Sequence, residues 1–201
     1  MNNTAETTEK TRRKPRVAIV SGTSGVGKST ICKKLVQQTG AFLSVSQTTR
    51  PKSETELDGE DYWFIPEKEF QDKIANEQFL EYAEVFGNYY GTPKPPVEKA
   101  LAEGKFVILE IDTQGAMQVK KIYPDAVMIF ILPPSHADLA GRMAGRGRGE
   151  DTQIAQQRLD SASNEIAAAW QYYDHMVINA DLEQAVNEIK QILKENSGNG
   201  E

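Results

Sequence analysis

The string Gly22-Thr-Ser-Gly-Val-Gly-Lys28-Ser29 constrains this chain more than any other feature. It fits the spacing G-x-x-x-x-G-K-[ST], and it follows the apolar run Arg16-Val-Ala-Ile-Val-Ser21 and precedes a helical pattern over Lys28 to Gln38 that stops at Gly40. Strand, glycine turn and helix in that order make a phosphate cradle. Its backbone N–H groups turn inward, the helix N-terminus adds partial positive charge, Lys28 reaches terminal phosphates and the Ser29 hydroxyl faces a magnesium ion. Gly22, Thr23, Ser24, Gly25, Val26, Gly27, Lys28, Ser29 and Thr30 are thus the expected triphosphate-binding residues.

The rest of the chain alternates short apolar runs with helical stretches, as parallel strands joined by crossover helices do. Strands are expected at Phe106 to Ile111, Ala126 to Leu132 and His175 to Ile178. Pro95-Pro96 opens a helix through Ala102 with Gly104 as its stop, Ser135 caps a helix beginning near Ala137, and Leu182, Ala185, Val186, Ile189, Ile192 and Leu193 recur at helical spacing. Between Gln47 and Thr92 the texture changes to aromatic, strand-like pieces at Tyr62 to Ile65, Phe79 to Val85 and Asn88 to Thr92, with Gly87-Asn88 as a hairpin signal. The expected fold is α/β: a three-layer parallel-sheet core, a small inserted antiparallel subdomain and a mobile glycine-rich loop over Gly145 to Asp151.

Composition narrows the possible partners. The chain has 201 residues, and 23 Lys and Arg against 29 Asp and Glu give a formal charge of -6, which argues against a general nucleic-acid binder. Residues 1 to 16 hold five basic and two acidic residues, a net +3 that leaves -9 for the remainder, and they read as a basic tail. No run of about 18 apolar residues and no secretory signal is encoded, so the expected place is the cytoplasm, away from membranes. The lone Cys32 reads as a small buried apolar group, His136 and His175 lack metal-ligand spacing, and Trp63 and Trp170 read as packing residues. The apolar run Val107 to Asp112 ends in two acids, Glu110 and Asp112, either of which could join Ser29 at magnesium.

Several strings in order, Ser44 to Arg50, Gly59 to Tyr62, Phe79 to Tyr82, Gly87 to Thr92 and Ile111 to Gly115, resemble guanylate kinase, the enzyme that phosphorylates GMP with ATP. The resemblance continues through Pro133 to Ser135, Gly145 to Gly147, Arg158-Leu159 and Val177 to Asn179. It implies ATP and GMP (with dGMP) as substrates and magnesium as the cofactor. Glu81 then takes the guanine N1–H and 2-amino donors, Ser46 and Thr92 face O6, Arg50, Tyr62 and Tyr90 hold the acceptor phosphate, and Glu110 stands where the family often has aspartate. Arg142, Arg146 and Arg158 are the lid arginines and, with Lys28 and Arg50, the catalytic cations; Asn179 sits beside the adenine. The implied division is a tail over 1–15, a domain over 16–196 and a frayed end over 197–201. Within the domain the core comprises 16–46, 93–141 and 159–196, the GMP insert 47–92 and the lid 142–158.

Two departures from the family pattern stand out. Ser53 occupies the place of a second phosphate-binding arginine, with Thr55 where glycine is common, and the glycine-rich loop is one residue longer, which makes Arg148 a spare candidate. A non-catalytic guanylate-kinase-like module that binds phosphorylated partners is the alternative that the altered Arg50 to Thr55 stretch raises. A GTPase switch lacks its Asn-Lys-x-Asp string here, and a kinase for a phosphorylated sugar would leave Glu81, Ser46 and Thr92 without a purpose.

Overall fold

A computed structural model describes residues 16–135, 138, 162 and 164–197. Two sheets organise these residues. The first is parallel throughout and has the order β2 (Phe42–Ser44), β7 (Val107–Glu110), β1 (Val17–Gly22), β8 (Val127–Leu132), β9 (His175–Ile178). Side chains alternate across a strand, so the unbroken apolar run of β1 serves two faces at once. Ala18 and Val20 join one core with Ile31, Cys32 and Leu35 of α1 (Lys28–Thr39) and with Val186 and Ile189 of α6 (Leu182–Ser197). Val17 and Ile19 join the other core, with Val97 of α3 (Lys94–Ala102), Val119 of α4 (Thr113–Ile122), Phe130 and Ala169 of α5 (164–172). Helices on both faces make the three layers, and truncating fully buried Phe130 to Ala would cost about 3–5 kcal/mol.

The second sheet is the insert, order β4 (Trp63–Phe64), β3 (Gln47–Thr48), β6 (Asn88–Pro93), β5 (Phe79–Val85), with α2 (Glu67–Ala75) between β4 and β5. It is mixed rather than purely antiparallel. β5 and β3 run antiparallel to β6, whereas β4 runs parallel to β3, because the segment through Asp58 loops fully round before it rejoins the sheet. The hairpin turn also falls one residue earlier than Gly87-Asn88. Phe86 and Gly87 occupy its two central positions at φ 50° and 72°, while Asn88 already pairs with Val85 and its side-chain amide donates to the Phe86 carbonyl at 3.1 Å. That polar bond holds the turn although Phe86 is a poor residue for positive φ.

The core strands and helices expected from the sequence lie where expected, to within a residue or two. Ser135 caps as expected: its hydroxyl accepts from the Asp138 N–H at 3.1 Å and donates to the Asp138 carboxylate. Three described helices, α2, α4 and α5, had no stated counterpart in the sequence reading. α2 buries only Phe70, and α4 is started by Asp112, whose carboxylate accepts from the Gly115 N–H at 2.8 Å. Trp170 is 65% and Trp63 46% exposed, so neither is the packing residue its type suggested, although the Trp63 ring does lie against Gly59. Cys32 is fully buried, and burial raises its thiol pKa. The tail over 1–15, His136, the lid over 142–158 and residues 198–201 lie outside the described residues.

Candidate functional site

The cradle sits at the carboxyl end of the central strand, β1, between the ends of β7 and β8, where an open parallel sheet leaves its crevice. Lys28 is the first residue of α1, and its ammonium folds back to donate to the carbonyls of Gly22 at 2.6 Å and Thr23 at 3.0 Å. Gly27 has φ 100°, and a Cβ there would lie 2.6 Å from the Asn179 amide nitrogen. Only glycine fits. That amide, buried at the end of β9, donates to the Val26 carbonyl at 2.8 Å, so Asn179 props the cradle from beneath. Ser29 Oγ donates to Glu110 Oε1 at 2.7 Å, which brings together a hydroxyl and a carboxylate from neighbouring elements.

Magnesium prefers oxygen ligands and keeps several waters, relying on one or two protein groups plus substrate phosphates. Among the described residues no cluster of three or more His, Cys, Asp or Glu side chains could hold a metal alone. The Ser29 and Glu110 oxygens fit the sparser magnesium pattern. Asp112, the other candidate, lines the same cleft but already serves as the cap of α4.

Across the cleft, Glu81 is buried to 5% exposure. A register irregularity between Phe79 and Glu81 re-aims β5, so that Leu80 enters the core while Glu81, Ala83 and Val85 line the cleft. Thr92 Oγ1, on β6 directly opposite, donates to Glu81 Oε1 at 2.6 Å. Gly115 makes room on the other side, since a Cβ there would fall 2.3 Å from Glu81 Oε2. Burial and the nearby Asp112 charge raise the Glu81 pKa to about 7 against the partial opposition of the Thr92 bonds.

Arg50 is gripped by a partner the sequence reading did not single out, Glu56. Its Nη2 donates to Glu56 Oε1 at 2.7 Å and its Nη1 to Oε2 at 3.0 Å, while Nη1 also donates to the Pro51 carbonyl at 2.7 Å. The guanidinium lies 5.6 Å from the ring centres of both Tyr62 and Phe64, and the Tyr62 and Tyr90 rings meet edge to face at 5.8 Å. Ser53 gives its N–H to Glu56 Oε2 at 3.0 Å. Lys52 donates to the Glu56 carbonyl at 3.0 Å. Burial alone would raise the Glu56 carboxyl, but the bonds from Arg50 and Ser53 outweigh it and hold its pKa down to about 2.

One cleft of about 410 Å³ runs from the cradle to Glu81 and Glu56, lined among others by Gly22, Ser24, Lys28, Ser29, Ser46, Glu56, Tyr62, Glu81, Tyr90, Glu110 and Asp112; Arg50 stands behind Glu56 and Tyr62, outside that lining. Thr92 stands behind Glu81, and Thr30 is exposed on α1 outside the lining. Arg142, Arg146 and Arg158 fall outside the described residues. Among the charged liners the sequence reading also missed four: Glu165 on α5, Glu60 in the insert, Lys33 on α1 and Asp61 in the insert. The last two form a 2.7 Å ion pair that ties core to insert, and it lowers the Asp61 pKa against the upward pull of burial. Lys33, at helical spacing from Ser29, carried the only signal that could have placed it; Glu56 carried none beyond being an acid six residues after Arg50.

The family model described as guanylate kinase matches residues 14–196. A guanylate kinase of Carboxydothermus hydrogenoformans is 49% identical over 181 residues, 90% of this chain and 88% of that protein. One from Thermus thermophilus is 46% identical over 178 residues, 89% of this chain and 80% of its own. The crystal structure of a guanylate kinase from Anaplasma phagocytophilum superposes with a TM-score of 0.75 at 30% identity, covering 94% of this chain and 89% of that one.

Proposed function

The chain belongs to the guanylate kinase family, and from that premise we propose that it transfers the terminal phosphoryl group of ATP to GMP, giving ADP and GDP. One observation carries the reading: a single cleft joins a phosphate cradle to a buried carboxylate that a threonine hydroxyl holds from behind. Guanine offers two adjacent donors, N1–H and the 2-amino group, beside one acceptor, O6. The ionised Glu81 matches the donors and Ser46 the acceptor, while Thr92, whose proton goes to Glu81, orients the carboxylate. Adenine would set an unprotonated ring nitrogen against Glu81 and leave buried groups unpaired, which supports discrimination on the order of 10⁴.

The acceptor phosphate falls to Arg50, Tyr62 and Tyr90, and the donor triphosphate to the cradle with Lys28. A magnesium ion held through Ser29 and Glu110, when bound, would neutralise charge on the transferring group. No side chain need act as a nucleophile, because a GMP phosphate oxygen attacks; the residues position and neutralise. Seven carboxylates against two lysines line the cleft among the described residues, so two polyanionic substrates need further cations there. Arg50, paired with the lining Glu56, would supply one, and Arg142, Arg146 and Arg158 would supply the rest on closure. No described helix is long and apolar enough to cross a membrane, and the working place proposed is the cytoplasm.

The test is an ADP-release assay with ATP and, separately, GMP, dGMP, AMP, CMP and UMP. Turnover with GMP and dGMP alone is expected. Stimulation by AMP in their place would overturn the base assignment, and silence with every acceptor would favour the phosphopartner-binding module.

A further inference from the structure

Arg50 has five N–H groups, and their partners define what it can still hold. The two inner hydrogens of Nη1 and Nη2, its end-on fork, go to the two oxygens of Glu56, and the outer Nη1 hydrogen goes to the Pro51 carbonyl. The bonds to Glu56 and Pro51 leave Nε–H and the outer Nη2 hydrogen, the edge on which the Tyr90 hydroxyl can also be met. These two hydrogens lie side by side and match two oxygens of one phosphate.

An anion beside an expected phosphate site calls for a reason, since by charge alone Glu56 repels what Arg50 must attract. The reason lies in geometry. Glu56 is 7% exposed, lines the cleft and accepts a third bond from the Ser53 N–H, so the loop holds its carboxylate in one place. The guanidinium stacked over Tyr62 and Phe64 is then held both in its plane and about its axis. We propose that Glu56 is a positioning residue that clamps the end-on fork of Arg50 and so presents the side-on Nε–H and Nη2–H pair to the phosphate of the nucleoside monophosphate. With Ser53 offering no second guanidinium in this segment, the orientation of that one fork decides how the phosphate is gripped. The inference rests on the GMP reading of the cleft.

The experiment is a double-mutant cycle on the full chain with Glu56→Gln, Arg50→Lys and both together, reading KM for GMP, KM for ATP and kcat. Glutamine has the shape of Glu56 but cannot accept from both guanidinium nitrogens. Glu56→Gln should raise KM for GMP on the order of tenfold with KM for ATP unchanged and kcat less affected, and it should add little in the Arg50→Lys background, where no fork remains. Additive effects, or equal rises in both KM values, would overturn the proposal. Should Glu56→Gln unfold, Glu56→Asp, which keeps the charge but shortens the reach, carries the same cycle with the same expected outcome. Wild-type protein inert toward GMP would sink the kinase reading and this inference together, whereas wild-type turnover with an additive cycle sinks the inference alone.

Discussion

Replacing Glu81 with glutamine should make the unliganded protein more stable at pH 8 while it ruins the use of GMP. A carboxylate ordinarily ionises near 4.5, and burial with the Asp112 charge raises that of Glu81 to about 7. The folded state therefore favours the protonated acid. Whatever stability this group gives is fully present below pH 4.5 and is lost as pH rises through about 7, because the fold must then carry a buried charge. The gap between 4.5 and about 7 corresponds to roughly 3 kcal/mol. The substituted amide keeps an oxygen for the Thr92 hydroxyl and never ionises, so the variant should escape most of that loss. Urea unfolding at pH 5 and pH 8 reads the effect: near-equal stabilities at pH 5, and at pH 8 a variant ahead by about 2–3 kcal/mol. In the same variant kcat/KM for GMP should fall roughly a hundredfold or more, because an amide NH₂ faces the guanine donors and leaves them unpaired. A variant no more stable than wild type at pH 8 would show that Glu81 carries no desolvation burden and would refute the reasoning.

Three further outcomes are expected. Gly115→Ala sets a methyl 2.3 Å from Glu81 Oε2 and should raise KM for GMP strongly with KM for ATP little changed; equal changes in both would point to general damage. Lys28→Ala removes the ammonium that ties the Gly22 and Thr23 carbonyls and should abolish turnover, as measured by ADP release, while circular dichroism stays that of wild type. Ser53→Arg places a second guanidinium beside Arg50 and should tighten GMP on the order of tenfold; a titration without gain would show that a second guanidinium here does not add to the phosphate grip.

The core was legible because its strands are buried on both faces and read as unbroken apolar runs ended by glycine, proline or acid, as in Val127–Leu132 before Pro133. The cradle was legible for a related reason, since its chemistry is local in sequence. The insert was harder. Trp63–Phe64 is a two-residue strand whose parallel pairing with Gln47–Thr48 depends on a long excursion, and nothing within it encodes direction. α2 keeps a single buried residue, Phe70, under Phe79 and Tyr89, so it has no apolar stripe to reveal it. Within the site, Glu81 could be placed through the family resemblance, but its proton affinity arises from burial and from Asp112, 31 positions away in the chain. Glu56 escaped notice because an acid in a polar turn is ordinarily solvated, and only the folded loop turns it onto Arg50.

The bond from Asn179 to the Val26 carbonyl joins positions 153 residues apart and sets an order of events during synthesis. A ribosome that has released the glycine turn has not yet made the strand that props it. Until Asn179 emerges and β9 docks beside β8, the turn lacks its brace and the nascent chain should gain little from nucleotide.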